Sequence, residues 1–319
     1  MKILVTGGLG FIGHNVVQKL EHLGHEISTT DIQTNYGLLS QQKLEFLISE
    51  RLKKISTNRI YKIDIADQYG IEYIFNQTKP DVIIHLASFP RQKIVNHNPM
   101  IGSQTMITGL LNLLEASVRH NISKFVYVSS SMVYGDFTDG VTEDTVCNPI
   151  GPYAIMKLAG EQLVKDYTKR FKLDHTILRP SAVYGPLDIE DRVVSKFMSN
   201  AICDKVLQVF GGNETLDFTY IDDAVDGIVN STLSKNTNNK TYNITKSDSV
   251  PLLEAAHIAI DIAGAGEIEL LDKDPEYPSR GSLSIANARK DFGFDPKIEV
   301  GAGFIEYYKW LTTVVNCDK

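Results

Sequence analysis

Cysteine is scarce in this 319-residue chain: Cys147, Cys203 and Cys317 follow no metal-like spacing and cannot all pair. Neither a disulfide framework nor a metal site is expected, and reduced thiols in a cytoplasmic setting are the default. No apolar run approaches the ~20 residues that cross a bilayer, so no membrane span is expected. The opening Met1–Val5 enters a strand-like run at once, with no cleavable signal pattern. Basic charge is also wanting. The chain carries 32 Lys and Arg against 39 Asp and Glu, a net charge of −7, which argues against a nucleic-acid surface. No internal repeat or low-complexity tract is visible.

What is present is an ordinary globular composition, with 43% hydrophobic residues. Short β-branched runs alternate with helix-period segments, the signature of βαβ units and a parallel sheet. Strands are predicted at Lys2–Thr6, Glu26–Thr30, Arg59–Ile63, Val82–Leu86, Phe125–Ser129 and His175–Leu178. Helices are predicted at Phe11–Leu23, Ile71–Gln77, Ser103–His120 and Tyr153–Phe171. Right-handed crossovers then give a Rossmann-type doubly wound α/β fold. Between Tyr36 and Thr57, Leu44, Leu47, Ile48, Leu52 and Ile55 recur at helical spacing. This insertion reads as an extra amphipathic helix packed on its own domain, in preference to a lid or a dimer contact. After Pro180 the pattern becomes irregular, with short strands near Val206–Val209, Tyr242–Ile244 and Ile268–Leu271 and helices at Val193–Ala201, Asp222–Leu233, Leu252–Ala263 and Val300–Leu311. The expected division is a dinucleotide-binding domain over 1–180, with 217–248 returning to it, and a smaller substrate-binding lobe from 181–216 and 249–319.

The first strand runs directly into TGGLGFIG, with Gly7, Gly10 and Gly13 in G-x-x-G-x-x-G spacing and Phe11 and Ile12 opening the next helix. Glycines allow a tight turn and close backbone approach to a pyrophosphate, and the helix N-terminus offers free N–H groups. Asp31 ends the second strand, about 20 residues on, where a carboxylate accepts hydrogen bonds from ribose hydroxyls and repels a 2′-phosphate. NAD is therefore expected in preference to NADP. Asp64 and Ile65, in DIAD, stand where the adenine edge would lie. Leu86, Ala87 and Ser88, in HLAS, are small enough at the strand end to let a cofactor pass; His85 reads as structural.

Tyr153 and Lys157 form a Y-x-x-x-K pair whose i, i+4 spacing places both on one helical face. A nearby ammonium favours the phenolate, and a phenol so tuned can exchange a proton with a substrate hydroxyl during hydride transfer. The lysine can also hold the nicotinamide ribose.

With these motifs in family order, together with VSSSMVYG, RPSAVYGP and DFTYIDDAVDGI, the chain resembles the extended short-chain dehydrogenase/reductase family of NAD-dependent sugar-nucleotide epimerases and dehydratases. The resemblance implies bound NAD, a nucleotide-sugar substrate, commonly a homodimer through the helices near 103–120 and 153–171, and a Ser-Tyr-Lys catalytic set. Counting four residues back from Tyr134 gives Ser130 as the catalytic serine, with Ser129 structural. Ser181 and Val183 fall to the cofactor. The family's 4,6-dehydratases carry an Asp-Glu acid/base pair where this chain has Ser131 and Met132. That difference favours epimerisation through a keto-sugar. The alternatives are a sugar dehydrogenase or ketoreductase, an atypical dehydratase, and, from another class, a non-catalytic NAD-binding regulator. Two family phosphate contacts are replaced, by Ala182 and Leu216. The substitute anion-binding candidates are Arg91, Arg192 and Arg280, with Phe218 as either a pocket or a core residue.

Overall fold

The computed structural model describes residues 1–34, 37–89, 91–188 and 191–317. The strands of the main sheet are β1 (Lys2–Thr6), β2 (Glu26–Thr30), β3 (Ile60–Tyr61), β4 (Val82–His85), β5 (Lys124–Val128), β6 (Asp174–Pro180) and β11 (Lys240–Ile244). Outside it lie β7 (Val183–Tyr184), β8 (Val206–Phe210), β9 (Thr215–Asp217), β10 (Thr219–Tyr220), β12 (Ser249–Pro251) and β13 (Glu267–Leu271). The main sheet runs β11-β6-β5-β4-β1-β2-β3, all parallel. Central strands such as β5 are buried on both faces, which is why they read as continuous apolar runs instead of alternating ones. Strand order reverses between β1 and β4, so the carboxyl ends of these two strands open the crevice where a doubly wound sheet takes its ligand.

The helices are α1 (Phe11–His22), α2 (Gln41–Leu52), α3 (Gln68–Thr78), α4 (Gln92–His97), α5 (Pro99–Ser103), α6 (Leu110–Arg119), α7 (Gly151–Phe171), α8 (Val193–Ile202), α9 (Ile221–Leu233), α10 (Leu252–Ala263), α11 (Ala286–Phe292) and α12 (Val300–Leu311). One apolar cluster, with Val5, Val16, Leu20 and Ile84, fills one face of the sheet and continues without a break to Phe197 of α8, Ala255 of α10 and Phe304 of α12. The other, with Leu4, Ile83, Leu113 and Phe125, fills the opposite face. Helix α3 starts where the Asp67 carboxylate accepts from Tyr69 N and Gly70 N, both at 3.1 Å, the usual capping arrangement for orphan N–H groups. Helix α7 carries Pro152 in its first turn, where the missing N–H costs nothing. Strand β11 returns to pair with β6, and α9 packs on α1; α8, α10 and α12 pack together beyond the sheet. Among the described residues no helix is long and apolar enough to cross a membrane.

Three expectations change. The single helix expected at Ser103–His120 is α5 and α6 joined by a π-helical stretch, Gln104–Gly109. Close packing accompanies it: a Cβ on Gly109 would lie 2.5 Å from the Ile65 side chain. The strand expected at Arg59–Ile63 shortens to β3, because only Ile60 and Tyr61 pair with β2. The cysteines are not all reduced: Cys203, at the end of α8, and Cys317, beyond α12, form a disulfide across 114 residues, leaving Cys147 free. The packing of α12 against α8 brings together two cysteines whose sequence separation hid their proximity. The insertion after β2 forms the expected helix, α2, with Leu44, Leu47 and Arg51 buried; Arg51 donates both to Leu9 O of the glycine turn and to Leu187 O beyond β7. Tyr36, at the start of that segment, lies outside the described residues.

Candidate active site

The glycine turn sits at the end of β1, with Gly7 at φ +72°. A Cβ there would lie 2.8 Å from Ala87 N, and one on Gly13 would lie 2.0 Å from Gly7 O. Only glycine therefore permits both the left-handed turn and the contact between helix and turn. Asp31, at the end of β2, accepts from Leu9 N at 3.0 Å and from Gln33 N at 2.8 Å. Burial raises its pKa, while those bonds and the Arg51 charge oppose the rise. Asp64 accepts from Ala66 N at 2.9 Å. Asn112 of α6 donates to Ile65 O and Ala66 O, both at 3.0 Å, and so fixes the turn that presents Ile65. His85 meets the Thr6 hydroxyl at 2.7 Å, and burial holds its pKa down to about 3, so it is a neutral strut between β1 and β4.

The Ser88 and Ser181 hydroxyls are buried without a hydrogen-bond partner. Buried polar atoms ordinarily find partners, so two orphans in one cleft point to a polar ligand. They line a cavity of about 730 Å³ together with the glycine turn, Asp31, Asp64, Ile65, Leu86, Ala87 and Val183. The bare turn, the orphaned hydroxyls and the strand-end carboxylate fit a dinucleotide.

The same cavity reaches Ser130, Tyr153 and Lys157. The strand β5 ends before the serines. Ser129 donates to Glu161 at 2.7 Å, and Glu161 in turn receives Arg179 at 2.6 Å, with both charged side chains buried. Ser129 is thereby structural. The Ser130 hydroxyl accepts from Met132 N at 3.2 Å and hydrogen-bonds toward the Tyr153 phenol. Burial raises the Tyr153 pKa; the Arg192 charge and the Ser130 hydrogen bond pull it back. Lys157, given the tuning role on sequence grounds, donates to Val128 O at 2.9 Å and stands 6.0 Å from the centre of the Tyr153 ring. The leading cation acting on the phenol here is Arg192. Burial lowers Lys157 to about 8, against the opposing pull of Glu161.

At the far end, Arg280 Nη1 lies 3.6 Å from Met132 Sδ, and its Nε is buried without a partner. Burial lowers its pKa to about 10. Arg91 pairs with Asp191 at 2.9 Å and Arg192 with Asp188 at 3.0 Å. Ser131 is buried and Ala182 holds φ +36°, both against the cavity. Phe218 is 3% exposed and meets Tyr184 and Phe304 edge-on, so it is a core residue at the cavity rim. All the predicted site residues line this one cavity. Sequence reasoning missed Arg51, Asp188 and the α2 wall formed by Leu44, Leu47 and Ile48. A signal existed for Arg51: it lies seven residues after Leu44, on the apolar face of the helix.

A doubly wound sheet, a glycine turn at its switch point and a Ser-Tyr-Lys set in one cleft define a dinucleotide-dependent enzyme of the Rossmann class. Residues 3–245 match the NAD dependent epimerase/dehydratase family, and the chain belongs to that family. It is 31% identical, over 98% of its length and 99% of the other's, to a Bacillus subtilis (strain 168) protein described as an uncharacterized UDP-glucose epimerase, YtcB. It is 30% identical to a Dictyostelium discoideum dTDP-D-glucose 4,6-dehydratase, over 82% of this chain and 62% of that one. The crystal structure of a Bacillus cereus UDP-glucuronic acid 4-epimerase, bound to UDP-glucuronic acid and NAD, superposes with a TM-score of 0.90 at 28% identity. That match covers 98% of this chain and 100% of the other.

Proposed function

We propose that this enzyme epimerises a nucleotide-activated sugar through a transient keto-sugar. The observation that carries the choice is Met132. It is 6% exposed beside Ser130, and its sulfur faces Arg280. A thioether neither gives nor takes a proton near neutral pH, so this position cannot act as an acid or base for water elimination. Redox chemistry at a single carbon needs only the groups present.

The glycine turn, Asp31, Ser88, Ser181 and Lys157 would hold NAD, which when bound would supply reversible hydride acceptance. Ser130 holds the reacting sugar hydroxyl, and Tyr153 removes its proton as the ketone forms. The same phenol gives that proton back after the keto-sugar presents its other face. Arg280 holds the diphosphate: its Nε is buried without a partner and, whereas Arg91 and Arg192 are engaged by Asp191 and Asp188, no ion pair of Arg280 is found among the described residues. Arg91 and Arg192 contact substrate only by sharing their charge with Asp191 and Asp188. A homodimer through α5–α7 is supported by exposed apolar side chains there, Met100, Ile101 and Ile155. A cytoplasmic location is part of the same reading.

The test is direct. Purified protein is given UDP-, GDP-, dTDP- and CDP-sugars, with UDP-glucose and UDP-glucuronate among them, and products are resolved by chromatography. An epimer without net NADH supports the reading. Stoichiometric NADH indicates a dehydrogenase, and a 4-keto-6-deoxy product indicates a dehydratase.

A further inference from the structure

Helix α7 has no cap of its own. Its N-cap residue is Ile150, whose apolar side chain accepts nothing, and Pro152 in the first turn brings no N–H. A capping side chain ordinarily receives the N–H of the second or third helical residue, and here the third residue is Tyr153. Its N–H is received from another helix. Asn96 of α4 accepts from Tyr153 N with its Oδ1 at 3.2 Å, across 57 residues of chain.

The backbone leaves room for this contact. Gly151 holds φ +81°, and a Cβ on it would lie 2.9 Å from Asn96 Nδ2. A side chain at 151 would therefore need both a left-handed backbone and a displaced Asn96 amide. Helix α4 also meets Tyr153 a second time. Val95, buried next to Asn96, forms with Phe89 and Met106 the apolar cluster on which Tyr153 packs. One turn of α4 thus holds the tyrosine by its backbone and by its side chain.

Stability of α7 as a whole does not explain the arrangement. The helix is 21 residues long and packs on α4, α6, β5 and β6, so most of its stability comes from that packing. Loss of one cap acts locally, on a first turn that is free to fray. That turn carries Tyr153, whose phenol hydrogen-bonds with Ser130. The ionisable groups that act on the phenol lie on other elements: Tyr127 in β5, Lys157 one turn along α7 and Arg192 at the start of α8. Those of α4, Lys93 and His97, turn instead to Asp274 and Glu276. What α4 brings to Tyr153 is placement.

We propose that Asn96 is a positioning residue for Tyr153: by receiving the backbone N–H of the tyrosine it pins the first turn of α7 and so holds the phenol against Ser130. The proposal rests on the reading of Tyr153 as the proton-transfer group.

The experiment uses full-length protein loaded with NAD, with Asn96→Leu, which keeps the volume and loses the acceptor, and Asn96→Asp, which keeps an acceptor at the same reach. Ionisation of Tyr153 is read as the near-ultraviolet phenolate signal that each protein loses when Tyr153→Phe is added. In Asn96→Leu that ionisation should move up by as much as about one pH unit, because the Ser130 hydrogen bond that favours the phenolate is loosened. Turnover should fall roughly 10- to 100-fold, the scale set by a misplacement of about an ångström, with KM and bound NAD little changed. Asn96→Asp should restore most of that turnover in alkaline buffer.

An unmoved Tyr153 ionisation in Asn96→Leu overturns the proposal, and a lowered unfolding midpoint alone would then make Asn96 a helix cap and nothing more. Turnover that Asn96→Asp fails to restore overturns it too, since the acceptor would not be what matters. Should Asn96→Leu fail to fold, Asn96→Ala decides by the same phenolate signal. If the native protein turns over none of the nucleotide sugars, the proposed function fails, while the phenolate titration still decides the role of Asn96.

Discussion

The sulfur of Met132 lies 3.6 Å from Nη1 of Arg280, where a carboxylate would have made an ion pair across the substrate cleft. Arg280 is left with capacity for an anion brought by the substrate. Replacing it with Met should raise KM for the accepted nucleotide sugar by roughly 10- to 100-fold, with a smaller change in kcat, as expected for loss of a charge-assisted hydrogen bond. The converse change, Met132→Glu, should also raise KM, because the new carboxylate competes with the substrate for Arg280. Steady-state kinetics on both variants check this. An unchanged KM in Arg280→Met would remove the residue from the binding site.

Glu161 and Arg179 form a buried pair that also anchors Ser129 and the Tyr134 hydroxyl. Removing one partner leaves the other charge buried and unpaired. Arg179→Met should therefore cost about 3–5 kcal/mol of unfolding free energy. The double variant Arg179→Met with Glu161→Leu should recover much of that loss. Denaturant unfolding of the three proteins gives the comparison. Equal losses for the single and double variants would mean that packing, not charge, sets the cost.

Local chemistry made most of this site legible in the sequence. The glycine turn, Asp31, Ser130, Tyr153 and Lys157 each depend on a few neighbouring residues, and the order of strands and helices fixes where those neighbours go. Arg51 and Asp188 were not legible as neighbours, because they lie 137 residues apart and only the fold brings Arg51 to the carbonyl of Leu187, the residue before Asp188. The Cys203–Cys317 bond was hidden because 114 residues separate the two cysteines and only the packing of α12 on α8 brings them together. Arg192 could be nominated from its charge, but its field on Tyr153 depends on the start of α8, which the sequence does not orient. The π-helical stretch after α5 was read as plain helix, since its apolar periodicity resembles that of its neighbours.

Three buried histidines predict how stability responds to acid. Burial is the leading cause that holds His14 and His85 down to about 3 and His175 down to about 4. Each folded-state pKa lies below the ordinary value of about 6.5, so the unfolded chain binds more protons as the pH falls. Their contribution is complete above pH 6.5 and is lost downward through the window to about 3–4. Each adds a slope of about 1.4 kcal/mol per pH unit once well inside that window. Unfolding free energy measured from pH 7 to 5 should fall accordingly, and His85→Gln should flatten the slope by the share of one histidine. A slope unchanged by that variant would show that His85 is already compensated in the folded state.

Tyr153 carries the last prediction, because the proposed chemistry places one proton on one oxygen. Tyr153→Phe removes that oxygen and leaves the ring against Phe89, Val95 and Met106. The glycine turn, Asp31 and Lys157 are untouched, so NAD content after purification should match that of the native protein. Turnover should fall by roughly 10²–10⁴, the usual contribution of a positioned acid/base group. Ser130→Ala should behave differently. It keeps the phenol but removes a hydrogen bond that favours its ionised form, so the acid limb of the activity profile should move to higher pH. Activity that needs the phenolate rises with pH, and Ser130→Ala should therefore regain part of its loss in alkaline buffer while Tyr153→Phe does not. Recovery of Tyr153→Phe at high pH would transfer the proton-transfer role to another group, with Lys157 the first candidate, since burial already lowers it to about 8.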